Sequence, residues 1–110
     1  MSNFEDFKKD VITGAEELAK TTLTGFVANA KSDTQQFLQN QAQNVLAWID
    51  DLRNEAIDAN QYRSLLRGQI AIGKMHALTE AGVTAATYQR FRDGLIDIVV
   101  KATTKYFFPI

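Results

Sequence analysis

The chain has 110 residues, 45% apolar and 23% charged, with a net charge of −1 and no cysteine. A single domain of this length buries roughly two-thirds of its unfolded surface, and the composition is that of an ordinary globular protein. The missing cysteine excludes disulfides, thiolate nucleophiles and Cys-ligated zinc, and the slightly negative charge argues against nucleic acid, whose binders concentrate cations to release counterions.

Helical periodicity starts at once. Ser2-x-x-Glu5 is a capping-box sequence, and Phe4, Phe7, Val11, Ala15, Leu18, Thr22 and Phe26 follow at spacings of three and four. Glu5–Lys9 and Glu16–Lys20 are favourable pairs on the opposite side. Gly14 and Gly25 weaken this helix but leave room for a close neighbour. The spacing predicts a first helix over about 3–31.

Near residue 32 the apolar pattern thins. Ser32-x-x-Gln35 and Asp33-x-x-Gln36 both resemble capping boxes, so a second helix is expected over about 33–59. An alternative keeps residues 3–59 as one helix, because Phe4, Ala15, Phe26, Phe37 and Trp48 fall at an 11-residue interval of three turns. Within the second segment Leu38, Val45 and Leu52 alternate with Ala42, Ile49 and Ala56 as three heptads, with Trp48 beside the seam. That is the pattern of bundle or coiled-coil packing. Seven of residues 35–44 are Gln or Asn, which gives this helix an uncharged polar face. Asn60 is the expected end.

The third helix is expected over 61–81. Tyr62, Leu65, Leu66, Ile70, Gly73 and Ala77, with Ile72, Met75 and Leu78 beside them, give it a wide apolar face. Then comes the clearest punctuation of the chain, Glu80-Ala81-Gly82-Val83-Thr84. Gly82 suits the C′ position, Thr84 suits the next N-cap, and Val83 and Tyr88 form a hydrophobic staple. The last helix, 85–106, presents Tyr88, Phe91, Leu95, Ile98, Val99, Ala102 and Tyr106 on one face, before the apolar ending Tyr106-Phe107-Phe108-Pro109-Ile110. The whole reads as one all-α domain over 1–110, an antiparallel bundle of about four helices that associates into an oligomer.

Charge is divided unevenly. Residues 1–60 hold five Lys/Arg against ten Asp/Glu, and residues 61–110 hold seven against three, so halves of −5 and +4 are expected to pair within the chain or between copies. The acidic opening lacks the basic-then-apolar order of a secretory leader, and no window approaches eighteen uninterrupted apolar residues. A cytoplasmic location is expected.

Reactive chemistry is hard to find. His76 is the single histidine, and with Glu80 one turn on it supplies two ligands where a metal site needs three or more. Acid pairs at Glu5-Asp6, Glu16-Glu17 and Asp50-Asp51 point about 100° apart on a helix and do not converge as general acid and base. Gly68 and Gly73 lack the Lys-Ser/Thr ending of a phosphate loop and read as close-packing positions. Arg63, Arg67 and Lys74 on one face, with Arg90 and Arg92, meet the acidic half more simply than they meet phosphates. The expectation is therefore a non-enzymatic interaction or assembly protein, without catalytic, cofactor or metal residues, whose partner is itself or another helical protein. Its candidate interface is Leu38, Val45, Trp48, Ile49 and Leu52 with the tail residues Tyr106, Phe107, Phe108 and Ile110. The second reading is an amphipathic lipid-surface binder, although its polar faces are not rich in Lys and Arg.

Overall fold

A computed structural model describes residues 3–71 and 75–108 of the chain. The Ser2 cap, Ile72, Gly73, Lys74 and the end of the tail, Pro109 and Ile110, lie outside the described residues. Among the described residues there are six helices and no strand: α1 (Asn3–Thr22), α2 (Val27–Asn40), α3 (Ala42–Arg53), α4 (Ala59–Gln69), α5 (His76–Glu80) and α6 (Ala85–Phe107). The all-α reading holds. Its boundaries need correcting in three places.

The first helix stops at Thr22, well before residue 31. Thr21 and Thr22 both turn their hydroxyls back to the Leu18 carbonyl, at 3.0 and 2.8 Å, as added bonds in the last turn. The chain then reverses through a turn closed by Phe26 N–H to Leu23 O, with Gly25 at φ +92° in its third position. A side chain there would be strained, which makes Gly25 a stop signal and not a weak helical residue. Neither the break at residue 32 nor the continuous helix over 3–59 survives.

The heptad segment is likewise divided. Gln41, at φ −107° and ψ 12°, separates α2 from α3, and α3 ends at Arg53 instead of continuing to Ala59. Its end is a Schellman motif: Ala56 N–H reaches Asp51 O at 2.8 Å and Glu55 N–H reaches Leu52 O at 3.2 Å, with Glu55 at φ +62°. The next helix is opened by a capping box in which the Asp58 carboxylate accepts from Gln61 N–H and the Gln61 side chain accepts from Asp58 N–H, both at 2.8 Å.

The expected third helix is two, α4 and α5. By contrast, the turn at 81–84 follows its sequence signals closely. Gly82 sits at φ +82°, Val83 N–H reaches Leu78 O, Gly82 N–H reaches Thr79 O, and the Thr84 hydroxyl accepts from Thr87 N–H.

The core is organised by α1 and α6, which run antiparallel: Asn3 meets Tyr106, Asp10 meets Lys105 and Leu18 meets Gly94. From α1 come Phe7, Val11, Ala15 and Ala19; from α6 come Tyr88, Phe91, Leu95, Ile96, Val99 and Ala102, all buried. The two helices interlock through glycine sockets. A Cβ on Gly14 would lie 2.9 Å from the Ile98 side chain, and one on Gly94 would lie 2.7 Å from that of Leu18. Around this pair α2 packs on α1 and α4 on α6, while α5 packs on α2 and α3 joins α2 to α4, and the radius of gyration of 13.5 Å is near the roughly 13 Å of a compact chain this long.

Candidate functional site

Most of the candidate interface is consumed by the chain's own core. Leu38, Val45 and Ile49 are buried, and Trp48 and Leu52 are half-buried against the same cluster. The aromatic tail folds back. Phe107 packs edge-on to Phe7 with ring centres 5.8 Å apart, Phe108 lies under the Arg53 guanidinium at 5.8 Å, and the Tyr106 hydroxyl donates to Asp10 at 2.8 Å. Ile110 lies outside the described residues. The structure thus brings Phe107, Phe108 and Tyr106 onto α1 and α3, and it uses Leu38, Val45 and Ile49 as core.

What remains on the surface is a different apolar pair. Leu46 on α3 and Leu65 on α4 are the large hydrophobic side chains left exposed among the described residues, at 38% and 36%. Leu65 borders a groove of about 520 Å³ that also takes in Ile57 and the polar residues Asp58, Asn60, Gln61 and Ser64. Sequence periodicity had put Leu65 in the core, and Leu46 carried no signal because it falls off the heptad seam.

The groove is set in an acidic neighbourhood. Asp50, Asp51, Glu55 and Asp58 are all exposed within nine residues, against Arg53 as the cation of that stretch. Arg53 pairs with Asp50 at 3.1 Å, one turn away. Among the described residues most ion pairs stay within one charged half. Among the described residues, Lys105–Asp10 at 3.0 Å is the ion pair that crosses from one half to the other. Lys8–Glu5, Lys20–Glu17 and Lys31–Glu16 stay in the first half; Arg63–Asp97 and Arg92–Asp93 stay in the second. The expected Glu5–Lys9 and Glu16–Lys20 pairs are replaced by the i,i+3 pairs just named. Arg67, Arg90 and Lys101 are exposed and enter no ion pair among the described residues.

Asp10 is the most electrostatically engaged carboxylate. Hydrogen bonds from Lys105 and Tyr106 hold its carboxyl below the usual range, while the same contacts raise Lys105 and Tyr106. Two other tyrosines are pushed up to about 12. For Tyr62 the cause is burial, opposed by its hydrogen bond with the Thr103 hydroxyl at 2.8 Å. For Tyr88 it is burial and then the Asp33 charge, opposed by Arg92. Both act as tethers, since Tyr62 joins α4 to α6 and Tyr88 donates at 2.7 Å to the Ile70 carbonyl at the end of α4.

Asp33 has a structural task that sequence spacing assigned to the wrong helix. It sits inside α2, 5% exposed, and its two oxygens accept from the backbone N–H groups of Ala77 and Leu78 at 3.0 and 2.8 Å. It caps α5 across space. His76, first in α5, and Glu80 are both exposed. Among the described residues no three His, Cys, Asp or Glu side chains gather as a metal would require, and no helix is long and apolar enough to cross a membrane. Gly68, read as a packing position, faces open space.

No family model, curated protein or solved structure matches this chain. Its function has to be argued from the surface just described.

Proposed function

We propose that the protein is a non-enzymatic helical assembly component that acts in the cytoplasm, its helices forming one antiparallel bundle that self-associates through the α3–α4 edge. The observation that carries this reading is the juxtaposition, on one short stretch of chain, of both exposed large apolar side chains with an acidic patch of which Arg53 compensates Asp50 alone among the described residues. Leu46 and Leu65 supply apolar area, and Asp50, Asp51, Glu55 and Asp58 supply charge.

The occupant is a second copy. Each chain carries the complement of its own acidic edge, because Arg67 on α4 and Arg90 and Lys101 on α6 have no ion pair among the described residues. Arg90 and Lys101 are eleven residues apart, three turns, and so share one face of α6 about 16 Å apart. Acidic edge on basic face steers two copies together and fixes their register. A lipid surface is less well supported, since the apolar stripe of α1 is already covered by α6.

Sedimentation equilibrium over a concentration series tests this. A mass above that of one chain at low salt is expected, falling as added salt screens the exposed charges. Leu46→Glu with Leu65→Glu is expected to give monomers without loss of helix content. A monomer at every concentration in low salt would sink the proposal, as would a dimer indifferent to both salt and the double substitution.

A further inference from the structure

A second concave site, unconnected with the acidic edge, lies where α2, α4 and α5 meet. It is a cavity of about 390 Å³. Its walls carry four primary amides, Gln36, Asn40 and Gln41 from the α2 end and Gln69 from the end of α4, together with the imidazole of His76. Phe37 and Met75, both nearly covered, add apolar surface. The Asp33 carboxylate also borders the cavity, but both its oxygens already accept backbone N–H groups of α5.

The chemistry of this lining is restrictive. Each amide offers one acceptor and two donors. Gln41 uses its carbonyl oxygen on Asn44 at 2.7 Å, while Gln36, Asn40, Gln69 and His76 make no side-chain hydrogen bond among the described residues. No Lys or Arg is among the described lining residues, so these residues offer a phosphate or carboxylate ligand no counter-charge. The volume lies at the small end for a ligand pocket. Gln36 and Asn40 are one turn apart on α2 and thus neighbours on one helix face.

We infer that this cavity binds a neutral small molecule whose polar edge alternates hydrogen-bond donors and acceptors and whose apolar side meets the small exposed parts of Phe37 and Met75. Two sources present that chemistry: the hydroxyl rim of a pyranose and the edge of a nucleobase, which primary amides read by paired hydrogen bonds. The site is distinct from the one proposed for self-association, since none of Leu46, Leu65, Asp50, Asp51, Glu55 and Asp58 lines it.

Titration of the full-length protein with methyl glucopyranoside in one arm and adenosine in the other, followed by heteronuclear NMR, decides it. One of the two is expected to shift the side-chain NH₂ signals of Gln36, Asn40 and Gln69 saturably. The dissociation constant should be about a millimolar or tighter, as expected for a dozen or so heavy atoms at ordinary ligand efficiency. Asn40→Leu and Gln36→Leu, both at exposed helical positions, should weaken that binding about tenfold each, whereas Gln35→Leu on the same helix should leave it unchanged. Adenosine monophosphate should bind no better than adenosine. Absence of a saturable shift with either probe overturns the inference, and so does binding that survives both substitutions or that tightens with the phosphate.

Discussion

Two parts of the molecule are stabilised in different ways. The α1–α6 pair is held by continuous apolar stripes and two glycine sockets, so its stability is spread over many contacts, each replaceable in part by its neighbours. The stretch from α4 to α5 is made of short helices pinned by single polar contacts: the Asp58–Gln61 box, the Tyr62–Thr103 and Tyr88–Ile70 bonds, and the Asp33 cap. Helices of five to eleven residues are not stable alone, and here each end is tied by a particular side chain. Continuous packing fails globally; pinned structure fails one pin at a time. The groove beside Leu65 lies in the pinned part, and the amide cavity borders it through Gln69, Met75 and His76.

Alkali should break this contrast most strongly, because both tyrosine pins titrate together. Tyr62 and Tyr88 have folded values of about 12 against an ordinary 10. A folded value above the unfolded one means the contribution is complete below pH 10 and is lost as pH rises toward 12. Together the two phenols carry a large share of the stability of a small domain into that window. Phenolate absorbance and helical circular dichroism should therefore change together in that window. Tyr88→Phe should move the transition to higher pH; phenol titration well ahead of helix loss would show that the tyrosines do not pin the fold.

Next in size is Phe7→Ala on α1. The ring is fully buried, stacked on Phe4 at 5.5 Å and edge-on to Phe107 at 5.8 Å. Its removal should cost about 3–5 kcal/mol in urea unfolding, with protection against hydrogen exchange falling in step along α1 and α6. A loss confined to the N-terminal turns would contradict the view of α1–α6 as one cooperative unit.

The same contrast explains what sequence reading could reach. The α6 stripe and the turn at Gly82–Thr84 were legible because period and caps are local, and both are satisfied within the segment that encodes them. Gly25 was visible but ambiguous, since glycine serves helix packing and helix ending alike and only the positive φ decides. Asp58-x-x-Gln61 is a full capping signal, and an end placed at Ala59-Asn60 passes over it. Asp33 is the instructive failure. Its capping chemistry was read correctly, but the helix it caps lies more than forty residues away, and spacing along a chain carries no information about that. The amide cavity was half legible for the same reason. The Gln/Asn run stood out, while Gln69 and His76 join it only in three dimensions.

Asp33→Ala tests the pinned part directly. It strips the buried N–H groups of Ala77 and Leu78 of their acceptor, a loss of about 2–3 kcal/mol for bonds to a charged group. Hydrogen exchange should accelerate first at residues 77–81, before any change in α1 or α6, and Asp33→Asn should restore part of the protection through its remaining carbonyl oxygen. Uniform acceleration through all helices would mean that α5 is no separate unit.

The smallest effect is a gain. Glu55 holds a left-handed conformation, φ +62°, at the C′ position where α3 ends, and a β-carbon there costs about 1 kcal/mol. Glu55→Gly should raise the melting temperature by about 2–5 °C, less than the full cost because glycine also loosens the unfolded chain. The substitution also removes one charge from the acidic edge, so two controls separate the causes. Glu55→Asn loses the same charge and tolerates the left-handed region, and it should share much of the gain. Glu55→Ala loses the charge but keeps the strain, and should gain little. Equal gains in all three would assign the effect to relief of repulsion among Asp50, Asp51 and Asp58; the ordering Gly, Asn, Ala would assign it to the backbone. In the second case the glutamate stands at a strained position at some cost to folding, which fits an acidic group kept for what it meets on a second copy.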